Sequence, residues 1–244
     1  MNKTTIHNTN ESYWSTKGNE FIGTTALPLY GAFVSEEKHH LFGDVSGKTI
    51  LEIGCGTGQS LRYLADRGAS ELWGMDISQA QLDKTAQLNP SAHLICSPME
   101  EECGIPTDYF DIVYSVYAIG WTTDLDGTFC RIASYLKQGG VFIFSWSHPI
   151  HKCVTMKEDT LIFDKCYFDE SWYSTELGGG EFSLCNRKMS TYINSLASAG
   201  FTIERMIEES DDEMLKSHSS DFATKAAMLP VTFVIKGVRG RAAF

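Results

Sequence analysis

Leu51-Glu52-Ile53-Gly54-Cys55-Gly56-Thr57-Gly58 is the stretch on which the reading of this chain turns. Lys48 to Ile53 is short, apolar and β-branched, the pattern of a strand buried in a parallel sheet, and it runs straight into three glycines. Glycines after a strand let a ligand approach the backbone where side chains would block it, and the next helix start favours a carboxylate or phosphate. A loop of this kind is otherwise only a tight turn. Three details sharpen it. The spacing is G-x-G-x-G, and Gln59 stands where a dinucleotide fingerprint carries its third glycine. Glu52 lies two residues before the first glycine, where a carboxylate attracts an ammonium and is unwelcoming to a pyrophosphate. Asp76 ends the next strand, placed to accept hydrogen bonds from two ligand hydroxyls, to cap its helix, or both.

Beyond the loop, Gly58 to Arg67 carries Leu61, Leu64 and Ala65 at helical spacing, with Gly68 placed to end the helix. Glu71 to Asp76 reads as a second strand. Ser78 with Gln81 makes a capping box for a helix reaching about Leu88. Ala92 to Cys96 and Tyr109 to Val116 read as strands three and four. A helix over Asp126 to Leu136, stopped by Gly139 and Gly140, precedes a fifth strand at Val141 to Trp146. The rhythm breaks over residues 147–188, which are rich in aromatics and hold three glycines at 178–180. It returns with a helix at Lys188 to Ala199 and strands at Phe201 to Ile207 and Val231 to Lys236, separated by an acidic stretch that is helical or irregular. The alternation implies right-handed crossovers and a mostly parallel sheet covered on both faces. At the other end, Met1 to Ser12 is polar and is expected to fray. Residues 13–46 (Tyr13, Trp14, Phe21, Leu27, Leu29, Tyr30 and Phe33) read as one or two short helices with an aromatic face.

Together these residues resemble the class I S-adenosylmethionine-dependent methyltransferases. Met75-Asp76-Ile77-Ser78 is similar to the family's ribose-binding segment, and Cys96-Ser97-Pro98-Met99-Glu100 sits where the family contacts the adenine. Asp111 to Val116, with Ser115 inside it, followed by Tyr117-Ala118-Ile119-Gly120, resembles its fourth-strand motif. Leu136-Lys137-Gln138-Gly139-Gly140 resembles its fifth. The resemblance covers roughly residues 48–148 in order. It implies an α/β, Rossmann-like sheet of seven strands with helices on both faces, the last strand antiparallel between the fifth and sixth. It further implies S-adenosyl-L-methionine as cofactor and S-adenosyl-L-homocysteine as product. Glu52, Gly54, Cys55, Gly56 and Gly58 are then expected at the methionine end, Asp76 and Ile77 at the ribose, and Met99 and Glu100 at the adenine, with Ser115 also expected to bind the cofactor. Met99 also reads as ordinary core, and Glu100 to Glu102 as a solvated charge run.

The remaining chemistry concerns the methyl acceptor. A sulfonium methyl is already activated, so positioning supplies much of the rate, with effective molarities of about 10⁵ to 10⁸ M for well-oriented pairs. A base matters only where the acceptor loses a proton. His148, in Ser145-Trp146-Ser147-His148-Pro149, lies just past the fifth strand and is the candidate base, or else a packed loop histidine. Tyr117, Trp121 and Trp146 are candidates for the pocket wall, and Tyr13 and Tyr30 for closing over the cofactor, with core packing as the alternative. Residues 1–46 thus read as an N-terminal helical lid, and 47–244 as the methyltransferase domain with an acceptor-binding insertion at about 147–188. His148, His151, Cys153, Cys166 and Cys185 include H-x-x-H-x-C, but the spacing matches no common zinc site and no metal is expected.

The bulk numbers agree with one decorated α/β domain: 244 residues, 43% apolar and 12% aromatic. With 20 Lys and Arg against 31 Asp and Glu, the formal charge is −11, which disfavours a nucleic-acid partner and suits a small molecule. The 7 cysteines are odd in number and form no C-x-x-C, as in free thiols of a reducing compartment. No signal-peptide core or membrane-span run is visible, so the protein is expected to be cytoplasmic, as a monomer or homodimer. Three other functions share the pattern. They are a nicotinamide-dependent oxidoreductase, a macromolecular (RNA or protein) methyltransferase and a non-catalytic S-adenosylmethionine-binding subunit.

Overall fold

Strand and helix alternate from Thr49 to Cys96. The computed structural model describes residues 1–18, 25–157, 160–217 and 220–240. Strands β1 (Thr49–Ile53), β2 (Glu71–Asp76), β3 (His93–Cys96), β4 (Phe110–Val116) and β5 (Leu136–Ser147) are parallel in the order β3-β2-β1-β4-β5. β11 (Thr232–Arg239) runs antiparallel beside β5, and β10 (Phe201–Ile207) pairs antiparallel with β11 at the edge. The seven-stranded sheet, with its antiparallel last strand between the fifth and sixth, is the one expected.

The sequence explains the layering. β1 is central, and Ile50 to Ile53 are all buried, whereas β3 at the edge is at most half-buried. Successive β1 side chains serve opposite faces of the sheet. Ile50 belongs to a cluster with Leu61 and Leu64 of α3 (Gln59–Ala65) and Leu82 of α4 (Gln79–Leu88). Leu51 and Ile53 belong to the other, with Phe129 of α5 (Leu125–Tyr135) and Tyr192 of α6 (Met189–Ser198). Each such side chain contributes about 1.5–3 kcal/mol on burial.

Three expectations need correction. Gly139 and Gly140 do not stop a helix: α5 ends at Tyr135, and both glycines lie inside β5. Phe110 pairs with Leu136 and Ile112 with Val141, so the strand bulges there and the glycines absorb the irregularity. The aromatic stretch 147–188 is not irregular throughout. It forms hairpin β6 (Val154–Lys157) with β7 (Thr160–Phe163), then β8 (Trp172–Leu177) with β9 (Gly180–Cys185), which turns at Gly178 and Gly179.

The largest correction is at the N-terminus. Residues expected to fray are the body of helix α1 (Lys3–Lys17), capped by the Asn2 side chain, which accepts from the Thr4 amide at 2.8 Å. Ile6, Asn10 and Tyr13 form its buried stripe. Asn10 is the central contact: its Nδ2 donates to the Ser183 carbonyl at 3.0 Å, and its Oδ1 accepts from the Ser183 amide at 2.8 Å. The helix therefore docks on β9 as a strand would, through both polar groups of one residue. Of the aromatic face expected over 13–46, Phe21 lies outside the described residues. Among its described residues the segment holds the last turn of α1 and the short helix α2 (Glu36–His39). Among the described residues no helix is long and apolar enough to cross a membrane.

Replacing Asn10 with Ala leaves the Ser183 amide and carbonyl without these partners. A loss of about 1–3 kcal/mol is expected, read as a fall of several degrees in melting temperature. An unchanged midpoint would show that the pair does not hold α1 in place.

Candidate functional site

At the carboxyl ends of β1, β2 and β4 the chain encloses a cavity of about 1000 Å³, counting the space open to solvent, roofed by α1. Open α/β sheets bind ligands at this edge. The glycine loop forms its floor. Gly54 has φ +73°, and a Cβ there would lie 2.2 Å from the Ala118 Cβ, so only glycine permits the loop to approach the end of β4. The amides of Gly54 and Cys55 both donate to the Met75 carbonyl. Asp76 Oδ2 accepts from the Gly56 amide and Oδ1 from the Ser78 amide, each at 2.9 Å. From α4, Thr85 donates to the Gly56 carbonyl at 2.7 Å and Asn89 to the Gly58 carbonyl at 2.8 Å. Helix α4 itself starts on Ser78, whose hydroxyl accepts from the Gln81 amide.

Two carboxylates line this cavity beside the loop. Glu52 is buried, accepts from the Tyr114 hydroxyl at 2.9 Å, and forms no ion pair among the described residues. Burial pushes its pKa up to about 8, with hydrogen bonds from Tyr114 and Ser60 pulling the other way and Asp76 adding to the rise. Asp76 is raised by burial and held down in part by the amides of Ser78, Gly56 and Ile77. Burial, Asp76 and Glu52 together also push the Cys55 thiol up, which keeps it neutral.

The structure brings together Glu52, Gly54, Cys55, Gly56, Asp76, Ile77, Met99, Glu100, Tyr117 and Trp121 around this one cavity. It places the other expected residues outside its lining. Gly58 lies behind the loop, bonded to Asn89. Ser115 is buried and donates to the Ile53 carbonyl at 2.9 Å, joining β4 to β1. Tyr30 is fully buried, stacks with Phe42 and donates to Glu36 Oε2 at 2.6 Å. Tyr13 and Trp146 pack behind Trp121. His148 turns away: its Nε2 lies 2.7 Å from Glu208 Oε1, and its Nδ1 accepts from the Ile150 amide. Both ring nitrogens are engaged outside the cavity, the arrangement of the packed loop histidine that was the alternative reading. Burial lowers its pKa, and Glu208 works against that. His151 of the H-x-x-H-x-C run packs its ring edge-on to Phe222, and Cys153 is buried.

From α1, His7, Asn10 and Trp14 also line the cavity; Trp14 was read only as part of the aromatic lid face, and His7 and Asn10 lay in the end expected to fray. Their spacing of three and four is helical, but the stripe is mostly polar, so no hydrophobic periodicity announces it. His7 Nε2 lies 2.8 Å from Glu100 Oε1, which also accepts from the Thr123 amide at 3.0 Å and from the Thr123 hydroxyl. Burial raises the Glu100 pKa, but the bonds from Thr123 and His7 outweigh it and the group ends below its ordinary value. Glu100 is thus no part of a solvated charge run. The carbonyl of Trp14 accepts from Gln81 Nε2 at 2.6 Å, and Ser15 meets Ser78 at 2.8 Å between hydroxyls. The roof is therefore tied to α4, to the segment after β3 and to β9.

Comparison with known proteins places these features in context. Residues 51–144 match the family described as "Methyltransferase domain". An uncharacterised protein of Haemophilus influenzae is 29% identical over 184 residues, covering 69% of this chain and 72% of that protein. A sterol 24-C-methyltransferase of Gibberella zeae is 25% identical over 219 residues, 86% of this chain, which spans 51% of that enzyme's length. Among solved structures, a candidate S-adenosylmethionine-dependent methyltransferase from Listeria monocytogenes superposes with a TM-score of 0.73 at 25% identity, covering 84% of this chain and 96% of the other.

Glu52 makes stability depend on pH in a defined direction. Its acid form persists to about pH 8 in the folded chain but only to about pH 4.5 when unfolded, so the folded state binds more protons between these values. The stability present below pH 4.5 is then lost as pH rises toward 8. Glu52→Gln should remove that part of the slope in denaturant titrations run from pH 5 to pH 9. Parallel curves for the two proteins would mean that Glu52 titrates normally.

Proposed function

We propose, for a chain that belongs to the class I S-adenosylmethionine-dependent methyltransferases, that the cavity beneath α1 holds S-adenosylmethionine and a small-molecule methyl acceptor together. One observation carries the reading: Glu52 and Asp76, on adjacent strands, face one cavity across a glycine loop that their neighbours hold rigid. The residues fit the cofactor's chemistry. A buried carboxylate with no cationic partner suits an ammonium, and an Asp whose oxygens each accept one amide bond retains capacity for hydroxyl donors. The volume is in the range of sites that bury a ligand of this size.

In this reading Glu52 holds the ammonium of the methionine end, and the backbone of Gly54, Cys55 and Gly56 packs along it. Asp76 holds the ribose. Ile77 and Met99 flank the adenine, with Glu100 at its edge, fixed by His7 and Thr123. The bound cofactor supplies an activated methyl on a sulfonium. The chain's own residues contribute position and dryness: α1 covers the site, and Tyr117 and Trp121 bound the space on the β4 side. Glu52 becomes ionised on meeting the ammonium and gives its proton to solvent, so occupancy should strengthen as pH rises toward 8. A small acceptor is supported by the formal charge of −11 and by the sterol acceptor of the Gibberella zeae relative.

Calorimetric titration with S-adenosylmethionine, S-adenosylhomocysteine and NAD tests the proposal. Micromolar-range binding of the first two is expected, with no heat from NAD. Asp76→Ala should weaken both by about tenfold or more, about 1.4 kcal/mol. Binding of NAD alone, or an Asp76→Ala variant as tight as wild type, would overturn the assignment.

A further inference from the structure

The β4 side of the cavity is aromatic, and its rings are held in place. Trp121 sits at the centre: Trp14 lies edge-on at 5.2 Å, Phe182 at 5.5 Å and Trp146 at 5.9 Å, and Tyr13 stacks at 6.4 Å, measured between ring centroids. Trp146 fits closely behind Gly120, where a Cβ would lie 1.9 Å from the ring. The turn carrying Trp121 is also held from the insertion: buried Arg187 donates to the carbonyls of Gly120 and Thr122. Tyr117 has φ +55°, a costly conformation for a bulky residue, and its hydroxyl meets that of Thr232 at 3.1 Å. Trp14, Tyr117 and Trp121 face the cavity from this framework.

The charges around the cavity have one sign. Glu52, Asp76 and Glu100 line it, and among the described residues lining it none is Lys or Arg. The residues at 19–24, outside the described set, include no Lys or Arg in the sequence either. A carboxylate or phosphate acceptor would lose its hydration here with no Lys or Arg of the described lining to compensate, which is costly. Arg187 does not compensate, since it is buried behind the wall and bonded to two carbonyls.

Building on the function proposed above, we infer that the acceptor is an amine, bound with its nitrogen against the Trp14–Tyr117–Trp121 wall, and that anionic acceptors are excluded. The charge balance of the transfer fits such a wall. The lone pair of an uncharged amine nitrogen forms the C–N bond while the C–S bond breaks, its electron pair going to sulfur. The sulfonium becomes a thioether and the amine a methylammonium. A primary or secondary amine then releases its N–H proton to solvent. The transferred positive charge thus stays in the cavity through the methyl transfer itself and leaves only with that proton, and while it is there aromatic faces attract it.

The test uses matched probes on protein saturated with S-adenosylhomocysteine. Calorimetric titration with phenyltrimethylammonium should give saturable binding, and benzoate, of similar size and opposite charge, should give none. Trp121→Ala should weaken the ammonium probe about tenfold, the loss expected for one desolvated cation–ring contact, with the cofactor product bound as in wild type. Trp121→Phe, which keeps a ring, should retain most of the affinity. Benzoate binding as well as the ammonium, or failure of both probes in wild type, would overturn the inference. Failure of S-adenosylhomocysteine itself to bind would instead reject the cofactor assignment. Should Trp121→Ala lose the cofactor product as well, the comparison of the two probes on wild type decides alone.

Discussion

The carboxylate of Asp76 accepts the Gly56 amide with one oxygen and the Ser78 amide with the other, and most of the site is built on that clamp. The first bond fixes the glycine loop against the end of β2. The second fixes the residue that caps α4. Because α4 is then set in place, its Thr85 and Asn89 reach back to the loop carbonyls from the far side. The loop is held from both directions and its conformation does not wait for a ligand. The arrangement also explains the cost carried by Glu52, which shares the cavity wall with Asp76 and is kept largely neutral by burial.

The roof is built by different physics. Its docking relies on polar contacts at several points, of which the Asn10 pair with Ser183 is the most buried. Asn10, His7 and Trp14 face the cavity from one side of the helix, while Tyr13 inserts among the rings behind Trp121. The glycine-loop floor and the aromatic wall are thus joined by one helix, which contributes Trp14 to the wall. Its geometry follows from hydrogen bonds with definite directions more than from the fit of apolar surfaces.

The parts of this fold visible in the sequence are those where one signal dominates. β1 and β4 announce themselves as apolar runs because both faces are covered, and Gly54 announces a close approach because no other residue fits against Ala118. Helix α1 was hidden because its inward stripe carries Asn10 and His7 in place of aliphatic residues, and the partners of these two, Ser183 and Glu100, lie 173 and 93 positions away. Gly139 and Gly140 misled for a related reason: a glycine pair reads alike as a helix stop and as a bulge, and only the pairing of Phe110 with Leu136 separates the two. His148 illustrates a further limit. Sequence position set it at the ligand-binding edge of the sheet, but the direction of its ring depends on Glu208 in the segment after β10, which the local sequence does not reveal.

Arg187 lies at the end of the insertion, yet its guanidinium holds the turn that carries Trp121. The aromatic wall of the cavity is therefore shaped by a segment that makes no part of the Asp76 clamp. Such a division lets the two halves of the site diverge at separate rates. Mutations that lengthen or replace the hairpins between β5 and α6 can re-tune which molecules are accepted, generation by generation, while the inherited cofactor floor stays untouched. In a lineage of such proteins, selectivity would drift along the hairpins and the donor chemistry would persist in the loop.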